Sequence, residues 1–258
     1  MLDYNKIAKT KSSTPINDQL NILIDDALVK IRDTQPKRRY LGASRVGVSC
    51  SRLLQYEQSG DSKDRGKGFS GQTLRIFAAG HVFEELATQW LRDAGFELLT
   101  NQEDGSQFGF SCAGGNLAGH VDGIIIAAPK ALGLAVPALW EMKSMNNKSW
   151  KETIRKGLVV SKPVYAAQIA LYQAYMEGAV VGISKNPALF TAINKDTAEL
   201  YHELIPFDGE LAQRMSDKAA NIIRATKAGE MLPRIASSSD YYECKMCAYQ
   251  QRCWGNRQ

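Results

Sequence analysis

No stretch of this chain is apolar enough to cross a bilayer. The longest apolar run, Ile124–Pro129 with its flanks, falls far short of the ~20 residues a membrane helix needs. The start, Met1-Leu2-Asp3-Tyr4-Asn5-Lys6, lacks the basic-then-apolar pattern of a secretory signal. Internal repeats and low-complexity tracts are missing too. Neither sign of charge dominates: 32 Lys and Arg against 27 Asp and Glu leave +5, which permits nucleic-acid binding without requiring it. Cysteine is sparse, at five residues, and in an intracellular chain that argues against a disulfide scaffold. The expectation is a soluble, cytoplasmic globular chain with no membrane partner, and its 258 residues suffice for one substantial core.

Basic residues are present in local clusters. Lys37-Arg38-Arg39, Arg45 and Arg52 form one, and Lys143, Lys148, Lys151, Arg155 and Lys156 another. Each alone reads as solvated surface. Flanking the acidic motifs below, the two together fit a groove for a polyanion.

The chain opens with a polar arm at 1–15. Ile16–Ile31 has Leu20, Leu23, Ile24, Ala27, Leu28 and Ile31 at helical spacing, and Gln35-Pro36 ends that helix. A short helix is expected from about Ser49 to Gly60, then a Gly, Lys, Asp and Ser loop to Gly71. Gln72–Ala94 reads as a long helix closed by Gly95. Strands are expected at Phe96–Thr100, Phe108–Ser111, Leu117–Ala128 and Ala138–Met145. Trp150–Gly157 and Pro163–Glu177 read as helices, the second opened by its proline. Ala188–Asn194 and Glu199–Phe207 form a hairpin around Lys195-Asp196, and Asp208 caps a helix to about Lys227. The order predicts an α/β fold, a mixed central sheet flanked by helices.

Two acidic motifs fall in the strand run. Gly119-His120-Val121-Asp122-Gly123 opens Ile124-Ile125-Ile126, and Leu139-Trp140-Glu141-Met142-Lys143-Ser144 follows about one hairpin later. Alternate strand residues share a face, so Glu141 and Lys143 point one way while Trp140 and Met142 point into packing. If the strands pair, Asp122 lies beside Glu141. Two carboxylates on adjacent strands make a hard-oxygen site suited to Mg²⁺ or Mn²⁺. Such an ion lowers the pKa of a water and clamps a phosphate. Lys143 would orient that water and offset charge in the transition state.

The preceding helix offers a third carboxylate. Turning about 100° per residue, Ile76, Phe83, Ala87, Trp90 and Leu91 define an apolar arc. Glu84 falls about 70° from its middle, looking toward the sheet, and Glu85 lies almost opposite. His81, one turn before Glu84, is within reach of the same site. Trp150 and Tyr165 are candidates for stacking on bases.

The pairing of Gly119-His120-Val121-Asp122 with Glu141-Met142-Lys143 resembles the core motif of the PD-(D/E)XK nuclease superfamily. Gln168-Ile169-Ala170-Leu171-Tyr172 resembles the Gln-x-x-x-Tyr motif of its RecB-like branch, and residues four apart share a helix face. The resemblance covers roughly Ser44 to Cys253. It implies Asp122 and Glu141 as metal ligands, with Gln168 near the catalytic end beside Tyr172. It also implies a division into an N-terminal arm and helix, 1–40, and a nuclease domain, 41–258.

Cys244, Cys247 and Cys253 form C-x₂-C-x₅-C. Three close thiols need a fourth ligand to close a tetrahedral or cubane site, and Cys50 is the best placed; Cys112 is expected buried and free. One cysteine before the nuclease core and three after it resemble the iron–sulfur nucleases, among them CRISPR-associated RecB-like enzymes and AddB-type helicase–nucleases. That resemblance implies a structural [4Fe–4S] cluster joining the two ends of the chain, with Zn²⁺ on the same thiolates as the alternative. The sequence departs from those relatives in two places. Cys50 is followed by Ser51-Arg52 where they often have Pro-Arg, and Glu84 stands where the CRISPR-associated enzymes usually place a histidine. Glutamate there resembles exonucleases of the lambda type. The expected activity is hydrolysis of DNA with a free end, in recombination, repair or phage DNA metabolism, with a recombination or helicase partner. The alternatives are an endonuclease of restriction or CRISPR-adaptation type and a non-catalytic DNA-binding scaffold.

Overall fold

A computed structural model describes residues 15–36, 38–102 and 104–255. The arm expected at 1–15 lies, except for Pro15, outside the described residues, as does Lys37 of the first basic cluster. The chain forms two compact units, Met1–Pro36 with Phe69–Ala78, and Lys37–Gly68 with Ala79–Gln258.

The smaller unit holds α1 (Pro15–Thr34) and the first turns of α3 (Gly71–Asp93). Arg75 ion-pairs with Asp25, and Gly71 lies against the Asp25 backbone, where a Cβ would come within 2.4 Å of its Cα. Phe69 and Phe77 meet edge to face at 5.2 Å. The apolar spacing of α1 forms the expected helix, but none of its residues is buried.

The larger unit contains two sheets where one was expected. In the first, β1 (Leu41–Gly42) runs parallel to β4 (Leu117–His120), which pairs antiparallel with β3 (Gly109–Cys112). The second has the order β2-β5-β6-β7-β8, formed by Glu97–Leu99, Gly123–Ala127, Ala138–Met145, Ala188–Asn194 and Leu200–Ile205. Only the β6–β7 pair is parallel. The strand expected over Leu117–Ala128 is therefore two strands. The chain leaves the first sheet at His120 and joins the second at Gly123, with Val121 and Asp122 between.

Each face of the large sheet has its own core. Trp140, Met142, Leu189 and Ile193 pack toward Phe83, Ala87 and Leu91 of α3. Leu139, Met145, Phe190 and Ala192 face Ile169, Leu171 and Met176 of α6 (Pro163–Met176) and Ala219 and Ile222 of α7 (Gly209–Ala228). The period-two alternation of β6 thus puts Trp140 and Met142 on the α3 side, and Glu141 and Lys143 on the α6 side. Asp208 caps α7 by accepting from the Leu211 N–H at 2.8 Å. Between β6 and α6 lie α4 (Asn147–Lys156) and α5 (Leu158–Ser161). Among the described residues, the remaining α-helices are α2 (Ser51–Gln58), α8 (Tyr242–Met246) and α9 (Gln250–Trp254). The result is the expected α/β class, mixed sheets flanked by helices.

Candidate active site

Asp122, in the link between the sheets, is held by its neighbour strand: its Oδ2 accepts the Met142 N–H at 2.8 Å. Register then sets Glu141 beside it, because Gly123 pairs with Trp140. Glu141 is fully buried. Its Oε1 accepts from Lys143 Nζ and from Gln168 Nε2 of α6. Its Oε2 is buried with no hydrogen-bond partner. Lys143 also lies 3.7 Å from Asp122 Oδ2, so one ammonium serves two carboxylates.

Burial, then the Asp122 charge, pushes the Glu141 carboxyl up to about 8. Glu84 on α3 is half-buried and is pushed up to about 7 by the same two causes in the same order. Lys143 also acts on Glu84, which places that carboxyl in the field of the trio. Burial works against the Lys143 ammonium, and Glu141 and Asp122 outweigh it, so Lys143 is held protonated above its ordinary range.

Tyr172, one turn after Gln168, is buried, its ring edge-on to Phe110 at 5.8 Å. Burial, then the Glu141 charge, raises its hydroxyl. Gly119 makes room for this ring. A Cβ there would stand 2.6 Å from Tyr172 Cε1 and 2.9 Å from Phe110 Cε1, so the motif glycine is sterically required.

The structure therefore gathers Glu84, Asp122, Glu141, Lys143, Gln168 and Tyr172. His81 lies exposed on α3, one turn before Glu84. Trp150 is buried at the start of α4, which removes it as a base-stacking residue. Tyr165 is half-buried, and its ring faces the Lys143 ammonium at 5.6 Å from the centroid. A cation–π contact of this kind leaves no mark in sequence spacing.

Cys50, Cys244, Cys247 and Cys253 line one small cavity. All five cysteines are free thiols, and Cys112 is half-buried rather than buried. Burial pushes the Cys247 thiol up, and Cys50, Cys253 and Cys244 add to the shift. Cys50 also caps α2, its Sγ accepting the Leu53 N–H at 3.4 Å. Among the described residues, no three His, Cys, Asp or Glu side chains stand in a geometry that holds a metal ion. No helix of the described residues is long and apolar enough to cross a membrane.

No protein-family model matches the chain, and no characterised protein matches it in sequence. Among solved structures, it is similar to an alkaline exonuclease, LHK-Exo, from Laribacter hongkongensis. The TM-score is 0.50 at 16% identity, covering 75% of this chain and 90% of that one. The same enzyme in complex with dAMP gives 0.48 at 14%, covering 74% and 89%. SSO0001 gives 0.47 at 15%, covering 93% and 98%. At these identities the likeness is one of fold: the chain shares the fold of an alkaline exonuclease.

Proposed function

We propose that this chain is a divalent-metal-dependent DNA nuclease, acting as an exonuclease on DNA ends, with Asp122, Glu141 and Lys143 at its centre. The observation that carries the reading is the Glu141 carboxylate. It is fully buried, its Oε2 lacks a partner, and Asp122 and Glu84 lie in its field. A buried carboxylate oxygen without a donor costs about 1–3 kcal/mol or more. Three carboxylates within one another's electrostatic field suit a hard cation once their oxygens close on it. Glu84, Asp122 and Glu141 would hold Mg²⁺ or Mn²⁺, which when bound supplies the Lewis acidity that phosphodiester hydrolysis needs.

The chain's own groups do the rest. Lys143, kept protonated by its two carboxylates, offsets the charge gathering on the phosphoryl oxygens and holds the attacking water by hydrogen bonding. Gln168 donates to Glu141 Oε1 and so fixes the carboxylate's rotamer. Tyr172 seals the site on the α6 side. Its raised hydroxyl stays protonated at neutral pH and remains a hydrogen-bond donor.

The four cysteines are proposed to hold a [4Fe–4S] cluster of structural role, with Zn²⁺ as the alternative. Four soft thiols lining one cavity support this donor set. Protein purified without oxygen should be brown, with about four irons per chain; stoichiometric zinc would overturn the cluster.

The activity is tested by incubating linear and closed circular DNA with the protein in Mg²⁺ or in EDTA. Nucleotide release from linear DNA in Mg²⁺ alone is expected. Equal attack on circles would replace the exonuclease reading by an endonuclease one, and attack on neither would leave a non-catalytic DNA-binding scaffold.

A further inference from the structure

A second concave site lies away from the carboxylates. Arg52 of α2, Arg234 of the segment after α7, and Arg252 of α9 wall a cleft of about 630 Å³ with Tyr56 and Trp254. None of Glu84, Asp122, Glu141, Lys143, Gln168 or Tyr172 lines it. Three guanidiniums far apart in sequence have been brought to one cleft that, among the described residues, no acidic side chain lines. Asp61 balances one of them, Arg252, whereas Arg52 and Arg234 have no carboxylate partner among the described residues, which leaves their charge for a ligand.

Each arginine is anchored by backbone. Arg52 Nε donates to the Leu232 carbonyl. Arg234 donates through Nε and Nη2 to the Cys253 carbonyl and stacks on the Trp254 ring at 4.3 Å. Arg252 Nε donates to the Ser62 carbonyl. These bonds hold the forks in place and use only part of the five N–H donors each guanidinium carries. The adjoining cleft, about 510 Å³, adds Lys63 and Arg65. Its two acids are already engaged: Asp61 pairs with Arg252 at 3.0 Å, and Asp64 accepts the Gln251 and Arg252 backbone N–H groups. Preplaced, partly unsatisfied guanidinium forks over a concave floor are what a phosphate group demands.

We propose that this arginine cleft is a second nucleic-acid contact, which grips backbone phosphates of a single DNA strand away from the hydrolytic carboxylates. Its volume suits about one or two nucleotides rather than a duplex, by the size range of ligand clefts. The choice of a DNA strand over another phosphate compound rests on the nuclease reading; the anion cleft itself does not.

The test is binding of a fluorescein-labelled single-stranded 12-mer to the full chain in EDTA, followed by anisotropy across a salt series. Relative to wild type, the triple variant Arg52→Gln/Arg234→Gln/Arg252→Gln should bind at least about tenfold more weakly. Its log–log salt slope should be shallower by about 2, since each lost phosphate contact on a single strand removes about 0.7. The Arg→Lys triple should recover most of that slope, because it restores the charges without the forks. Should the glutamine triple fail to fold, wild-type protein irradiated with a 5-bromouracil 12-mer should give an adduct on the peptide carrying Trp254.

Unchanged affinity and slope in a folded glutamine triple, or adducts only elsewhere, would overturn the cleft. Displacement of the 12-mer by inorganic phosphate at equal molarity would show a free-phosphate site and overturn the strand. Arginine-dependent binding without hydrolysis would remove the nuclease reading and leave the cleft. Hydrolysis with arginine-independent binding would do the reverse.

Discussion

Replacing Glu141 by glutamine should abolish one particular pH dependence of stability in metal-free protein. The folded Glu141 carboxyl titrates near 8, because it is buried and faces Asp122, whereas the unfolded one titrates near 4.5. Between these values the folded state holds a proton that the unfolded state has released. The group's contribution to stability is therefore full below pH 4.5 and drains away as pH rises through 8. At about 1.4 kcal/mol per pH unit, the gap is worth on the order of 4–5 kcal/mol. Glu84, pushed up to about 7, acts in the same direction, with a smaller contribution because it is part-exposed and solvent screens it. For a chain of this size each kcal/mol moves Tm by roughly 2–4 °C. In EDTA, wild type should lose about 10 °C more than Glu141→Gln between pH 5 and 8.5, measured by circular dichroism melts. The two proteins should nearly coincide at pH 5, where the amide mimics the protonated acid. Parallel curves across the range would refute the argument. Adding Mg²⁺ at pH 8.5 should restore wild type and leave the variant unmoved.

Three further substitutions separate site from scaffold. Gly119→Ala drives a Cβ into Tyr172 and Phe110 and should cost about 1–3 kcal/mol in urea unfolding, with nuclease rate falling further than stability alone explains. Gln168→Leu leaves Glu141 Oε1 to Lys143 alone. It should lower Mg²⁺ affinity or rate by about 10–100-fold, read from a Mg²⁺ titration of activity. Thr191→Val strands the Trp140 indole N–H, which donates to Thr191 Oγ1 at 2.9 Å on the α3 side of the sheet. It should cost about 1–3 kcal/mol in denaturant melts while activity at matched folded fraction stays unchanged.

What the sequence could and could not reveal follows from the range of the forces involved. Pro163 at the start of α6, Asp208 capping α7 and the turn at Lys195-Asp196 are local devices, and the elements they bound are found within a few residues of expectation. The alternation of β6 separates Trp140 and Met142 from Glu141 and Lys143, which was readable for the same reason. The split of Leu117–Ala128 was not, because apolar residues run straight through it: Leu117, Val121, Ile124 and Ile125 are all buried on both sides of the break. Only tertiary pairing, with β1 claiming β4 and β6 claiming β5, decides that the chain changes sheets. The same holds for α1, whose apolar spacing forms the helix yet buries nothing, and for Trp150, whose burial comes from the packing around α4. The arginine cleft joins positions 52, 234 and 252, a distance in sequence that no spacing rule spans.

The most direct test is the initial rate of nucleotide release from linear duplex DNA in Mg²⁺ by wild type and by Asp122→Ala. Asp122 accepts the Met142 N–H and lies beside Lys143, so its loss removes a carboxylate from the centre of the site. Wild type should release nucleotides only in Mg²⁺, and a folded Asp122→Ala protein should do so about a hundredfold or more slowly. Equal rates for the two proteins would contradict a nuclease centred on Asp122.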